Sequence, residues 1–165
     1  MIKIGVISDT HIPMRARVLP DFVFESFKGV DLILHAGDLL SEDIITDLEI
    51  IAPVYAVAGN NDSFRIYEKY GERRIVEVGN KRIGLTHGYG RDKTHLNAYR
   101  EFMNDKVDCV VFGHSHIPFN EIIDGVLLFN PGSPTDRRFQ PRFSLGLLYV
   151  YASIKGEILY FDPMK

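Results

Sequence analysis

The sequence predicts an α/β protein, a four-layer α/β/β/α sandwich in which two mixed sheets lie face to face and helices cover their outer sides. Three observations predict it. The first part of the chain alternates strand-like and helix-like segments, which requires parallel strands joined by right-handed crossovers. The later part is punctuated by the turn pairs Gly79-Asn80, Asp124-Gly125 and Lys155-Gly156, each between apolar runs, and such pairs signal antiparallel hairpins. Short polar clusters follow directly on apolar, β-branched runs, so chemistry is carried at strand ends while strand bodies form core.

The elements follow in order. Ile2–Ile7 is a strand-like run, and Val18–Phe27 has the helical spacing of Leu19, Val23 and Phe27. Asp31–His35 reads as a strand. Ser41 is a good N-cap for a helix through Ile50. Pro53 precedes a strand over Val54–Ala58. Arg73–Val78 and Lys81–Thr86 form the first hairpin. Asp92–Asn104 is helical, with Leu96, Tyr99 and Met103 on one face, and Cys109–Phe112 is a buried strand. Asn120–Ile123 with Val126–Phe129, and Phe143–Ile154 with Glu157–Phe161, form the other two hairpins.

A chain of 165 residues fits a single domain spanning 1–165, and one of this size buries roughly 70% of its unfolded surface without staples. The formal net charge of −3 gives no global pull toward nucleic acid or anionic membrane. Cys109, the one cysteine, excludes an internal disulfide and suits a reducing compartment. The apolar start stops at Ser8-Asp9, too short for a signal-peptide core. No window reaches the ~20 apolar residues of a membrane span. The expectation is a cytoplasmic protein with no membrane partner.

Five clusters carry the chemistry: Asp9-Thr10-His11, Gly37-Asp38, Gly59-Asn60-Asn61-Asp62, His87-Gly88 and Gly113-His114-Ser115-His116. In open α/β sheets ligands bind beyond the carboxyl ends of the strands, where all five sit. They offer Asp9, His11, Asp38, Asn60, His87, His114 and His116 as metal ligands. Carboxylate and imidazole without thiolate suit Mn, Ni, Fe, Zn or Co better than Ca or a structural Zn site. The set exceeds what one ion needs, and Asp38 is the central candidate to bridge two. Ion pairs ~3.5–4 Å apart usually serve phosphate ester hydrolysis.

Other polar residues have plainer readings. His35 reads as a hydrogen-bonded core group, His95 as surface and Cys109 as core. Asn60, Asn61 and Asp62 also fit an Asx turn, with Asp62 as an orienter of ligands. Arginine binds phosphate well. Arg137 and Arg138, just beyond Asn130-Pro131-Gly132-Ser133, are therefore candidates for substrate contact, while Arg15, Arg17, Arg65 and Arg91 read as solvated. The aromatic stripe Tyr149, Tyr151, Tyr160 and Phe161 reads as sheet core or as a subunit contact in a homo-oligomer.

Taken together, the five clusters resemble the signature of calcineurin-like metallophosphoesterases over Ile4 to about Ser133. The short length, Asn61 and Asn130-Pro131-Gly132-Ser133 resemble the small YfcE-type phosphodiesterase branch most. The resemblance implies that Asp9, His11, Asp38 and His116 hold a first metal and Asp38, Asn60, His87 and His114 a second. It implies attack on phosphorus by a hydroxide bridging the ions, and the same two-sheet sandwich. Asn61 and Asp62 are the catalytic candidates. Many members carry a histidine where Asn61 stands, and a neutral amide is a very poor acid, so leaving groups that need no protonation are expected.

The expected function is thus a dinuclear metal-dependent phosphodiesterase acting on a small phosphodiester. Alternatives are a phosphomonoesterase or nuclease on the same site, or a protein-binding scaffold like the retromer subunit of this fold, which has lost part of the ligand set. Here no ligand position is lost, which favours chemistry. The absence of a basic stripe disfavours long nucleic acid.

Overall fold

A computed structural model describes residues 1–162. Among these described residues, ten strands and four helices run β1 (Ile2–Ile7), α1 (Asp21–Ser26), β2 (Leu32–His35), α2 (Asp43–Glu49), β3 (Val54–Ala56), α3 (Phe64–Tyr70), β4 (Arg73–Val78), β5 (Lys81–Thr86), α4 (Thr94–Phe102), β6 (Cys109–Val111), β7 (Phe119–Ile123), β8 (Val126–Asn130), β9 (Phe143–Val150) and β10 (Ile154–Phe161). They form two five-stranded sheets, β10-β9-β1-β2-β3 and β4-β5-β6-β8-β7. Both are mixed, as expected. In the first, β1, β2 and β3 are parallel, and β9 runs antiparallel to its two neighbours, β1 and β10. In the second, β5, β6 and β8 are parallel, with β4 and β7 antiparallel at the edges.

Register gathers the polar clusters. Ile7 lies opposite His35, and His35 opposite Ala56. Leu85 lies opposite Val111, and Val111 opposite Phe129. Six parallel strands therefore release their chains at matched levels, three from each sheet. Between the sheets pack Ile4, Val6, Leu34, Ile83, Leu85, Val111, Phe129 and Leu148. Val23, Phe27, Ile44 and Leu48, brought by α1 and α2, cover Ile7 and Ile33 on one outer side. On the other, Ala98 and Phe102 of α4 meet Val110 and Leu128. Each fully buried large side chain contributes roughly 1.5–3 kcal/mol of transfer free energy, so the ends of the strands can be polar without endangering the fold.

Several boundaries differ from expectation. Helix α1 starts at Asp21, not Val18, because Pro20 disfavours helical backbone in the residue before it and takes the cap position itself. Ser41 receives the backbone N–H of Asp43 at 3.2 Å, one residue ahead of the N-cap of α2. Helix α3 was not anticipated; it buries Ile66 and is capped by Ser63, which accepts from the Ile66 N–H. The third hairpin turns at Tyr151-Ala152-Ser153, and Lys155 and Gly156 lie within β10, with Gly156 opposite Leu148. The reason is packing: a Cβ on Gly156 would stand 2.6 Å from the Phe129 ring. Glycine there admits an aromatic ring against the strand, not a turn.

The aromatic stripe divides. Phe161 is core, its ring stacked on Phe22 at 4.4 Å, whereas Tyr151 and Tyr160 are exposed. No helix among the described residues is long and apolar enough to cross a membrane.

Candidate metal centre

Three imidazoles and two carboxylates meet where the two sheets' strand tips face each other. His11 Nε2 lies 3.3 Å from Asp38 Oδ2 and 3.8 Å from Asp9 Oδ1. His87 Nε2 lies 3.3 Å and 3.7 Å from the same two atoms. His116 Nε2 is 3.4 Å from Asp9 Oδ1. Asp9, His11, His87 and His116 are buried, yet Asp9 Oδ1 and all three Nε2 atoms lack a hydrogen-bond partner. Buried polar atoms are rarely left so. Four of them aimed at one another are what a cation site requires. Their ligand atoms form two triplets sharing Asp9, namely Asp9, His11 and His116, and Asp9, Asp38 and His87, each within 4.8 Å.

The other atoms of these side chains are fixed, which leaves the orphans aimed. Asp9 Oδ2 accepts from Ser8 Oγ at 2.8 Å and from the His114 N–H at 3.0 Å, so Oδ1 is left for the histidines. His87 Nδ1 faces the Ala36 carbonyl at 2.7 Å and His116 Nδ1 that of Asp136. A proton on each Nδ1 leaves Nε2 a lone pair, the form a metal binds. Sequence reasoning put Asp38 alone at the centre. Asp38 Oδ2 does sit midway between His11 and His87, but Asp9 Oδ1 is shared as widely.

Charge is stored here. Burial pushes the Asp9 and Asp38 carboxyls up, but the histidines around them outweigh it and hold both well below the usual carboxylate range. Burial likewise opposes charge on His11 and His87, yet Asp38 and Asp9 lift both rings to about 9. His114 goes the other way, lowered by burial and by the His87 charge.

Backbone geometry shows how much the fold enforces. Asp9, His11, Asp38, His114 and His116 have φ of 56°, 44°, 58°, 70° and 62°. Left-handed backbone at a non-glycine residue costs on the order of 1 kcal/mol or more. It persists because neighbours fix it: the Asp9 N–H donates to Gly37 O at 3.0 Å and the His11 N–H to Asp38 O at 3.1 Å. His35, held neutral by burial with its pKa lowered to about 3, links the same two loops. Its ring accepts from the Gly37 N–H at 3.1 Å and meets Thr10 Oγ1 at 3.1 Å, as the core reading anticipated.

The remaining predicted residues separate by position. Asn60 Oδ1 and His114 Nδ1 lie 3.1 Å apart, and the His114 ring stands edge-on to His87 at 5.2 Å, so both join the centre on its His87 side. Asn61 turns its amide onto Asp38, Nδ2 donating to Oδ2 at 2.9 Å and the backbone N–H to Oδ1 at 2.9 Å. Asp62 accepts the N–H groups of Gly59, Leu40 and Asp38 at 2.7, 2.8 and 2.9 Å. It is a positioning residue that clamps the Asp38 and Asn60 loops together. Asp62→Ala strands three amides and is expected to destabilise the fold by about 2–3 kcal/mol and to weaken metal binding about 10–100-fold. Urea unfolding and metal titration check this, and an unaltered midpoint refutes the clamp. Arg137 is spent on the Gln140 carbonyl at 2.8 Å and on the Phe143 ring. Arg138 is exposed, and its charge reaches His114.

Sequence reasoning missed the buttress behind these candidate ligands. Buried Asn130 donates to Gly113 O at 2.9 Å and Ser115 Oγ at 3.1 Å, holding the His114–His116 turn. Ser133 Oγ donates to Asp9 O at 2.8 Å and Thr135 Oγ1 to Thr10 O at 2.6 Å. The signal was present, since Asn130-Pro131-Gly132-Ser133 also caps a buried strand, but amide and hydroxyl groups do not announce a ligand.

Comparison with known proteins agrees with this geometry. Residues 2–153 match the family model described as the calcineurin-like phosphoesterase superfamily domain. A probable metallophosphoesterase of Methanothermobacter thermautotrophicus is 46% identical over 138 residues, 80% of this chain and 77% of that one. A phosphodiesterase of Methanocaldococcus jannaschii is 31% identical over 144 residues, 79% of this chain and 82% of that one. Wild-type Vps29 of Entamoeba histolytica, solved in complex with zinc, shares the fold at a TM-score of 0.74 and 24% identity, over 98% of this chain and 100% of that one. With its two-sheet sandwich, its clustered carboxylates and imidazoles, and a family match over nearly its whole length, the chain belongs to the calcineurin-like phosphoesterase superfamily.

Proposed function

We propose that the protein is a dinuclear metal-dependent phosphodiesterase of small phosphodiesters. The observation that carries this reading is the convergence of Asp9 Oδ1 with the Nε2 atoms of His11, His87 and His116, all buried and none hydrogen-bonded. Asp9, His11, Asp38 and His116 would hold one ion, and Asp38, Asn60, His87 and His114 the other, drawn from Mn, Ni, Fe, Zn or Co. The zinc complex of Vps29 and the phosphodiesterase named among the relatives support it. Bound divalent ions supply a nucleophile from water at neutral pH and neutralise charge on phosphoryl oxygens.

The chain's residues supply placement. The Ala36 carbonyl fixes the His87 tautomer and the Asp136 carbonyl that of His116. Asn61, held on Asp38, orients that carboxylate and is far too weak an acid to protonate a departing alkoxide. Leaving groups that are stable as anions are therefore favoured, because a general acid is typically worth about 100-fold to 10,000-fold.

Bound metal per chain, measured together with hydrolysis of bis(p-nitrophenyl) phosphate and p-nitrophenyl phosphate under Mn, Ni, Zn and Mg, tests the reading. The diester is expected to be preferred, and the His114→Ala variant to lose that activity. Protein that takes up no metal and stays inert under every supplement would instead be the scaffold.

A further inference from the structure

A cleft of about 400 Å³ adjoins the candidate metal centre, and Asn60 and His87 line it. A phosphodiester held at the centre has two ester arms, and the cleft receives one. Its lining adds Glu72 at the head of β4, Glu101 on α4, Thr86 and Tyr89, and among the described residues no lysine or arginine. The cations beside these glutamates in sequence are committed elsewhere. Arg73 pairs with Asp105, stacks on Phe102 and reaches the Glu101 backbone carbonyl, not its carboxylate. Arg74 lies over Tyr55, and Arg100 pairs with Asp92. Glu101 receives one hydrogen bond, from Thr86 Oγ1 to Oε2 at 2.8 Å, which leaves Oε1 free. Tyr89 is two-thirds exposed, its ring edge-on to His114 at 5.4 Å. Where cleft and centre meet, buried His87 keeps Nε2 unpartnered.

We infer that this cleft is a subsite for a cationic ester arm, an alkylammonium group joined by a short chain to the phosphodiester. Two carboxylates with no cation paired to them among the described residues, and a tyrosine ring beside them, are the groups that recognise such a cation. The same carboxylates repel an arm bearing a further phosphate, so the subsite selects against polyphosphate and nucleotide esters. A cation in the cleft also anchors the substrate at a distance from the reacting phosphorus, which fixes which arm departs.

The inference rests on the phosphodiesterase reading, and the test separates the two. Hydrolysis of p-nitrophenyl phosphorylcholine is compared with that of its neutral isostere, p-nitrophenyl 3,3-dimethylbutyl phosphate, as a ratio of kcat/KM within each protein, so that any shared loss of activity cancels. The ratio is expected to exceed about tenfold in the wild type and to fall to about one in the Glu72→Gln/Glu101→Gln double variant. Binding is read independently, by NMR titration of the protein with choline, which is expected to shift the Tyr89 and Thr86 amides saturably in the wild type but not in the double variant. Equal rates for the two esters, or a preference that survives in the double variant, would overturn the subsite. Choline shifts in a protein that hydrolyses no ester would uphold the subsite and sink the phosphodiesterase.

Discussion

Asp38→Asn is expected to lower hydrolysis of bis(p-nitrophenyl) phosphate by about 1,000-fold or more while leaving the circular dichroism spectrum unaltered. The substitution keeps the volume and one acceptor oxygen, so the backbone bond from Asn61 to Oδ1 survives. It removes the charge that faces both His11 and His87 at 3.3 Å. A neutral amide binds a hard divalent ion far less well than a carboxylate. It also places an NH₂ where Asp38 Oδ2 now accepts from Asn61, setting donor against donor. Bound metal should fall in parallel with activity. Retention of full metal content and rate would show that Asp38 is not a shared ligand.

Metal uptake is expected to release two protons from the His11 and His87 rings at pH 7, besides any lost by metal-bound water, and its overall constant to rise at least about 100-fold per pH unit below pH 9. His11 and His87 titrate near 9 in the metal-free protein, because Asp38 and Asp9 overcome burial, so both rings carry a proton at neutral pH. A cation must displace those protons. Each ring's folded pKa lies above its ordinary 6.5. Without metal, the stabilisation they give is complete below pH 6.5 and fades as pH climbs to about 9. Asp9 and Asp38, depressed in the fold, add stabilisation that disappears only in strong acid. Metal-free protein should therefore melt at progressively lower temperature from pH 6.5 to 9, and metal should raise the melting temperature most at the upper end of that window. Calorimetry in Pipes and Tris, whose ionisation enthalpies differ, counts the protons. A metal-binding enthalpy independent of the buffer would contradict protonated rings.

Much of this was legible in the sequence because it is written in periodicity and in residue type. Parallel β1, β2 and β3 follow from strand and helix alternation, and two of three hairpins from their turn pairs. Asp, His and Asn at strand tips named the side chains that converge at the centre, since carboxylate and imidazole have few other reasons to gather there. What escaped depends on three-dimensional neighbours. Gly156 looked like a turn residue because a glycine that admits the Phe129 ring is indistinguishable in sequence from one that bends the chain. Helix α3 hides a single buried side chain, too little for a detectable stripe. Arg137 was chosen for its chemistry, but the Gln140 carbonyl and Phe143 claim its guanidinium. Asn130, Ser133 and Thr135 act through backbone carbonyls far away in sequence, and such pairings leave no local mark.

The five left-handed aspartates and histidines of the centre set what selection can do with this chain. At each, glycine would relax the main chain, but at Asp9 and Asp38 it would also strand the donors of Ser8, Asn61 and His114, at a cost as large as the strain it removes. Screening variants for heat resistance alone would therefore enrich glycine first at His114, the least buried of the five, and would leave the two carboxylates in place.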